Sequence, residues 1–235
     1  VVHLAGEAVS GRWTKKKKQR IEDSRVIGTC NLVKALEQTG EPTVLVSSSA
    51  IGYYGDQGDS ELTEDHPSGR DFLAGISSAW ETEANNAITH GIRVVVIRTG
   101  IVLAHGGGAL ASMLLPFKMG VGGPMGSGKQ WWSWIHRDDL VAICLRAISD
   151  NEMVGVYNGT APHPMRQGDF STVLGKVLHR PAFLPTPAFA LKLALGGFSA
   201  ELLASKRVMP KRLQEAGFEF QYPELETALR QALGR

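Results

Sequence analysis

The sequence has little cysteine and no excess of charge of either sign. Its 235 residues include two cysteines, and 25 lysines and arginines nearly balance 23 acidic residues, for a net charge of +2. So few thiols exclude a disulfide scaffold, and the small net charge gives no reason to expect a nucleic-acid partner. Cys30 and Cys144 stand apart from each other and from any metal-ligand spacing. We therefore expect both to be buried, reduced thiols.

The sequence also lacks long apolar runs and metal-binding spacings. No apolar run reaches the roughly 18–20 residues that a membrane span needs. No pair of histidines has the H-x-x-x-H spacing of a zinc site. We therefore expect no metal ion and no membrane partner. The two reduced thiols favour a cytoplasmic location, or the plastid stroma in a plant or alga.

What the sequence does have is an alternation of short apolar runs and long amphipathic segments. The apolar runs predict strands at 1–5, 43–49, 92–98 and 156–158, and the amphipathic segments predict helices at 14–38, with Thr14 as N-cap and Gly40 beyond the end, 72–87 and 138–148. This alternation predicts an α/β protein with a doubly wound parallel sheet. Prolines cluster after Thr160, which predicts a sheet domain over 1–159 and a smaller, mostly helical region over 160–235.

Two segments place small or polar residues where predicted strands end, and ligands of open α/β folds bind at that edge. The run from Val1 to Gly6 ends in small residues, a weak signal by itself. The run from Val44 to Gly55 carries three serines and then Gly-Tyr-Tyr-Gly, which fits either a ligand site or a hydroxyl-rich turn. The four lysines 15–18 oppose the helix dipole, and the simplest interpretation is a solvated helix face.

The segment 123–129, GPMGSGK, nearly matches a phosphate-binding loop. Gln130 stands where that loop needs a hydroxyl, and no strand precedes the segment. We therefore predict a glycine-rich loop that crosses the substrate face instead. His136, between a strand-like run and a helix, is open to either a site role or a structural one.

Several segments together resemble one family. In chain order these are VVHLAGE, DSRV, SSSAIGYYG, VVVIRTGIVL, GGPMGSGKQWWSWIHRDDL and GVYNGTAP. They are similar to extended short-chain dehydrogenase/reductases, and most similar to an atypical NAD(P)-dependent epimerase subfamily with a C-terminal extension, often labelled nucleoside-diphosphate sugar epimerases and found in bacteria and plastids. The resemblance implies a Rossmann-like sheet, NADP (or NAD) as cofactor, and a small-molecule substrate held between Gly106–Trp134 and the C-terminal region.

The resemblance also implies which residues contact the cofactor. Arg25 would reach a phosphate with its forked donors. The other implied contacts follow the strand ends: Leu4, Ala5 and Gly6 along the adenosine and its ribose, Ser47 and Ser48 at the nicotinamide ribose, and Thr99, Gly100 and Val102 at the nicotinamide edge. The helix at 14–38 corresponds to a surface through which a homodimer could form.

The sequence departs from the family pattern in two places. The glycine-rich fingerprint is absent, so the resemblance implies roughly 55–70 further residues ahead of Val1. The Tyr-x-x-x-Lys pair, which moves the proton in ordinary members, is replaced by Leu73 and Ser77. Ser49 matches the third member of that catalytic group, and Tyr53 or Tyr54 beside it could replace the missing tyrosine.

These features leave three functions open. The leading one is an NAD(P)-dependent epimerase or oxidoreductase that acts on a nucleotide-sugar or another small polar substrate. The loss of Tyr-x-x-x-Lys favours an alternative, a cofactor-sensing regulatory or binding protein without turnover, for example in cell or plastid division. A remnant that binds no cofactor is the third.

Overall fold

The computed structural model describes residues 1–39 and 43–235, so Gly40, predicted to follow the first long helix, lies outside the described residues. The strands are β1 (Val2–His3), β2 (Val44–Ala50), β3 (Glu61–Leu62), β4 (Arg93–Thr99), β5 (Ile101–Leu103), β6 (Trp131–Trp132), β7 (Trp134–His136), β8 (Gly155–Gly159), β9 (Met165–Arg166) and β10 (Arg207–Val208). The α-helices are α1 (Lys15–Thr39), α2 (Phe72–Asn85), α3 (Gly108–Lys118), α4 (Arg137–Ser149), α5 (Gln167–Leu178), α6 (Ala188–Leu195), α7 (Phe198–Leu203), α8 (Lys211–Glu215) and α9 (Leu225–Ala232).

A parallel sheet in the order β1-β2-β4-β8 forms the centre of the described chain. Successive side chains of a strand point to opposite sides of the sheet, and the inner strands are buried on both faces because helices cover each side. Leu45, Val94 and Val96 pack against α1 and α2, whereas Val46 and Val95 pack in a cluster with α4 on the other face. Helices on both faces of a parallel sheet confirm the predicted Rossmann-like α/β fold.

The element boundaries follow local signals. Thr14 is the N-cap of α1, as predicted, because its hydroxyl accepts a hydrogen bond from the Lys17 amide at 3.1 Å. The predicted second helix is shorter than expected, because a 3₁₀ turn at Asn86–His90 follows α2. The predicted first strand is also too long: pairing with β2 stops at His3, and residues 4–6 continue as an exposed loop.

The predicted state of the cysteines is correct in one respect and wrong in another. Cys30 and Cys144 are free thiols, but both are half-buried rather than buried. Cys144 lies at the edge of the cluster between α4 and the sheet, where one side of the residue remains near solvent.

The segment after Thr160 is mostly helical and shares its core with earlier residues. Phe170, Leu174 and Leu229 belong to one apolar cluster with Leu103 and Trp134. The division at residue 159 stays a prediction. Within residues 1–39 and 43–235, no helix combines the length and apolarity that crossing a bilayer requires. No group of three or more His, Cys, Asp or Glu side chains in those ranges could hold a metal ion.

Candidate functional site

A cleft of about 250 Å³ opens at the carboxyl ends of β2 and β4. The wall on the sheet side consists of residues 50–52 and 99–101, and the opposite wall contains Trp131, Trp132 and α7. Ligands of open α/β sheets bind at this edge. The cleft also lies between the Gly106–Trp134 segment and the C-terminal region, where the family resemblance places the substrate.

Arg25 reaches the cleft from α1. Its Nη1 donates to the carbonyl oxygens of Glu7 at 2.9 Å and Ile21 at 3.2 Å, and its guanidinium lies 5.1 Å from the centre of the Trp80 ring. Burial lowers the pKa of Arg25, although the nearby charge of Glu7 opposes that shift. No acceptor in the described part of the chain contacts Nε or Nη2, so both can donate to an anionic ligand.

A buried polar network ties β2, β4 and α2 together beneath the cleft. Arg98 forms a two-pronged ion pair with Glu81, with Nε–Oε1 at 2.8 Å and Nη2–Oε2 at 2.9 Å. The Ser49 hydroxyl donates to Glu81 Oε1 at 2.6 Å. Glu81 thereby fixes the carboxyl ends of two neighbouring strands relative to α2.

The tyrosines predicted as proton donors belong to the same network. The Tyr54 hydroxyl donates to Asn158 at 2.7 Å and accepts from Arg98 Nη1 at 3.0 Å. Tyr54 is fully buried, and this burial raises its pKa to about 12 despite the proximity of Arg98. The ring of Tyr53 lies 3.4 Å from the Arg98 guanidinium. Neither tyrosine lines the cleft, nor does Ser49.

The predicted cofactor residues separate into two groups. Arg25, Thr99 and Gly100 line the cleft. The others lie outside its lining: Leu4, Ala5 and Gly6 are exposed beyond β1, Ser47 and Ser48 lie within β2, and Val102 lies in β5 paired with Ile135 of β7. Gly6 lies beside the Arg25 guanidinium: a Cβ atom added at this position would be 3.1 Å from Arg25 Cζ.

Comparison with known proteins assigns this arrangement to a family. The model of the NAD dependent epimerase/dehydratase family matches residues 1–158. The chain belongs to that family. Residues 186–232 of this family member also match a domain of unknown function, DUF1731.

This epimerase-family chain is similar to proteins from plants, animals and bacteria. It is 46% identical over 233 residues to the Arabidopsis thaliana "Epimerase family protein SDR39U1 homolog, chloroplastic", covering 98% of this chain and 67% of that protein. A crystal structure of human epimerase family protein SDR39U1 (isoform 2) with NADPH matches with a TM-score of 0.93 and 34% identity, over 100% of this chain and 81% of the human one. A nucleoside-diphosphate sugar epimerase from Corynebacterium glutamicum matches with a TM-score of 0.81 and 35% identity, over 99% of this chain and 45% of that one.

In this family member the two positions that the family resemblance aligns with the Tyr-x-x-x-Lys pair face the cleft. Leu73 and Ser77 of α2 both line it. Neither side chain moves protons near neutral pH, since one is a hydrocarbon and the other an unactivated hydroxyl. The wall of α2 therefore supplies shape but no acid or base.

Sequence reasoning missed the charged pair on the opposite wall of the epimerase-family cleft. Lys206 and Glu201 line the cleft, with Lys206 Nζ 2.8 Å from Glu201 Oε1. The Lys206 side chain is only 4% exposed. No local motif marks these residues, because long-range packing brings them to the cleft.

The structure also places two other features of the sequence, the glycine-rich loop and His136, outside the cleft. Ser127, Gly128 and Lys129 of the glycine-rich loop line a second cavity of about 560 Å³ rather than the cleft. Arg166 in that cavity pairs with Asp59 at 2.6 Å. His136 is buried at the N-cap of α4 and bonds Gln231 at 2.6 Å, which favours the structural role.

Proposed function

We propose that the chain binds NADP(H) along the carboxyl edge of its sheet and transfers hydride to or from a small-molecule substrate in the cleft. The observation that carries this proposal is Arg25, a half-buried guanidinium in the cleft wall with two nitrogens free to donate. A phosphate group fits such forked donors well. The human relative crystallised with NADPH supports the same choice of ligand.

The other cofactor contacts of this proposal follow the strand ends. Exposed backbone follows β1 at Leu4–Gly6, and Thr99 and Gly100 line the cleft where β4 ends. We assign the adenosine side to Leu4–Gly6, the nicotinamide ribose to Ser47 and Ser48, and the nicotinamide edge to Thr99, Gly100 and Val102. The dinucleotide, when bound, would supply or accept the hydride of an oxidoreduction or an epimerisation.

The candidate catalytic residues take a supporting role in this proposal. Ser49 and Tyr54 are buried and bonded to Glu81, Arg98 and Asn158, so we assign them to holding the strand ends. Tyr53 is half-buried against Arg98 and stays a candidate for a direct role. Leu73 and Ser77 in the cleft wall favour the alternative function, a cofactor-sensing protein without turnover.

Binding of NADPH to the Arg25→Ala variant tests the proposal. Loss of one charge-assisted hydrogen bond, worth roughly 1.5–3 kcal/mol, should weaken binding about ten- to a hundredfold. Arg137→Ala is the matched control, because Arg137 is exposed on α4 and pairs only with its neighbour Asp138 among the described residues. NADPH fluorescence or calorimetry measures both. If wild-type protein does not bind NADPH, or Arg25→Ala binds it normally, the proposal is wrong.

A further inference from the structure

The cleft wall that faces the sheet edge is built from apolar and aromatic side chains. Met113, Trp132, Phe198 and Leu202 line it. Neighbouring rings hold these aromatic groups in place: Trp132 packs edge-on against Phe170 at 5.4 Å, and Phe198 lies 5.9 Å from Trp13. A ligand on this side therefore meets a fixed apolar surface.

Apart from Arg25, which the proposed function assigns to a phosphate of the cofactor, the polar groups in the cleft are few, and several are already used. The Ser133 hydroxyl donates to the Lys206 carbonyl at 2.9 Å and accepts from the Val208 amide at 2.9 Å. Thr99 Oγ1 donates to the Ile97 carbonyl at 3.3 Å. A nucleotide sugar carries many hydroxyl and phosphate oxygens, and burying these without partners costs free energy for each one.

The size of the cleft also favours a compact ligand. Its volume of about 250 Å³ lies below the roughly 300–1,000 Å³ of typical small-molecule sites. A nicotinamide ring at the sheet edge would take part of that space. What remains fits a ring or a short chain rather than a sugar joined to a nucleotide.

Lys206 supplies one strong donor in this apolar setting. Its backbone is fixed by an amide hydrogen bond to the Trp131 carbonyl at 3.0 Å. Its ammonium pairs with Glu201 at 2.8 Å, and within the described ranges no other acceptor contacts Nζ. An ammonium has three donors, so two remain for a ligand oxygen.

We infer that the cleft takes a compact, mostly apolar carbonyl compound whose oxygen accepts a hydrogen bond from Lys206. The chemistry of this inference rests on the proposed function. A carbonyl carbon that accepts hydride from reduced nicotinamide dinucleotide forms a C–H bond while its C=O π bond breaks, and the dinucleotide is oxidised. The Lys206 ammonium donates the proton to the resulting alkoxide oxygen and is reprotonated from solvent.

Two probes with the same carbon skeleton test the role of Lys206. Acetophenone has the carbonyl oxygen and ethylbenzene lacks it. Wild-type protein should bind acetophenone roughly tenfold more tightly than ethylbenzene, the ratio expected for a hydrogen bond to a charged group. A ligand-observed NMR titration, with and without NADP⁺, measures both dissociation constants.

Variants separate recognition of the oxygen from packing. Lys206→Met keeps the apolar stem and should reduce the preference for acetophenone to less than about twofold. Lys211→Met is the matched control, since Lys211 forms an ion pair with Glu215 on α8 and lies outside the cleft lining. Phe198→Ala should weaken binding of both probes by the same factor and so keep the preference for acetophenone. If Lys206→Met does not fold, the ratio of the two affinities in wild-type protein still tests the inference.

Three results would overturn the inference, and a fourth would overturn the proposed function instead. Equal affinity of wild-type protein for the two probes would overturn the inference, as would a Lys206→Met variant that keeps its preference. So would UDP-glucose binding that displaces acetophenone and is tighter. Failure of NADPH binding would instead overturn the proposed function, because the ratio of the two probes is measured without NADP⁺ as well.

Discussion

Replacing Glu81 should destabilise the fold far more than replacing an exposed glutamate. Glu81 is 7% exposed and Arg98 3% exposed, and the two are joined by hydrogen bonds of 2.8 and 2.9 Å. Although burial disfavours the charge on Arg98, its contacts with Glu81 raise its pKa. Removing one partner of a buried ion pair leaves an uncompensated charge and costs about 3–5 kcal/mol.

Three variants isolate that cost. Glu81→Leu should lose about 3–5 kcal/mol of unfolding free energy. Glu226→Ala is the control, because Glu226 makes exposed pairs with Lys176 at 2.7 Å and Arg230 at 2.8 Å, and exposed pairs contribute little to stability. The double variant Glu81→Leu with Arg98→Met removes both charges and should be more stable than Glu81→Leu alone.

Urea unfolding followed by circular dichroism gives these free energies. Glu81 also holds Ser49, so part of the loss comes from that hydroxyl. A Glu81→Leu variant within about 1 kcal/mol of wild type would refute the assignment of a tightly coupled buried pair. A double variant no more stable than the single one would refute the reasoning about the orphaned charge.

Two further substitutions, the second with a matched control, have expected outcomes. Burial raises the pKa of Tyr54 to about 12 in the folded protein, so the free energy of unfolding should fall as pH rises from about 10 through 12. The Tyr54→Phe variant should lose less stability than wild type over that pH window. Equal losses in urea unfolding measured at several pH values would contradict this. Gly6→Ala puts a Cβ 3.1 Å from Arg25 Cζ and should weaken NADPH binding several-fold by shifting the guanidinium. The control is Gly75→Ala, because nothing lies within 4 Å of a Cβ atom at that position; it should leave NADPH binding unchanged and add about 0.5–1 kcal/mol of stability. Equal effects of the two alanine substitutions on NADPH binding would contradict the contact between position 6 and Arg25.

The sequence could predict the sheet because its inner strands are continuous apolar runs that only burial on both faces explains. It could predict the start of α1 because Thr14 carries a local capping signal. Tyr54 could not be placed in this way. Its position beside a strand end predicts access to ligand, but the short 3₁₀ turn at Ile51–Tyr54 directs the ring towards Asn158, 104 residues further along the chain.

Helix α2 gives a physical reason why an acid or base would come from the opposite wall. Leu73, Ser77 and Glu81 stand four residues apart and so share one face of the helix. The first two supply no proton donor to the cleft, and Glu81 is committed to Arg98. Arg25 cannot release a proton, because a guanidinium stays charged in proteins. Among the described residues of the cleft, that leaves the Lys206–Glu201 pair as the group able to exchange a proton with a substrate.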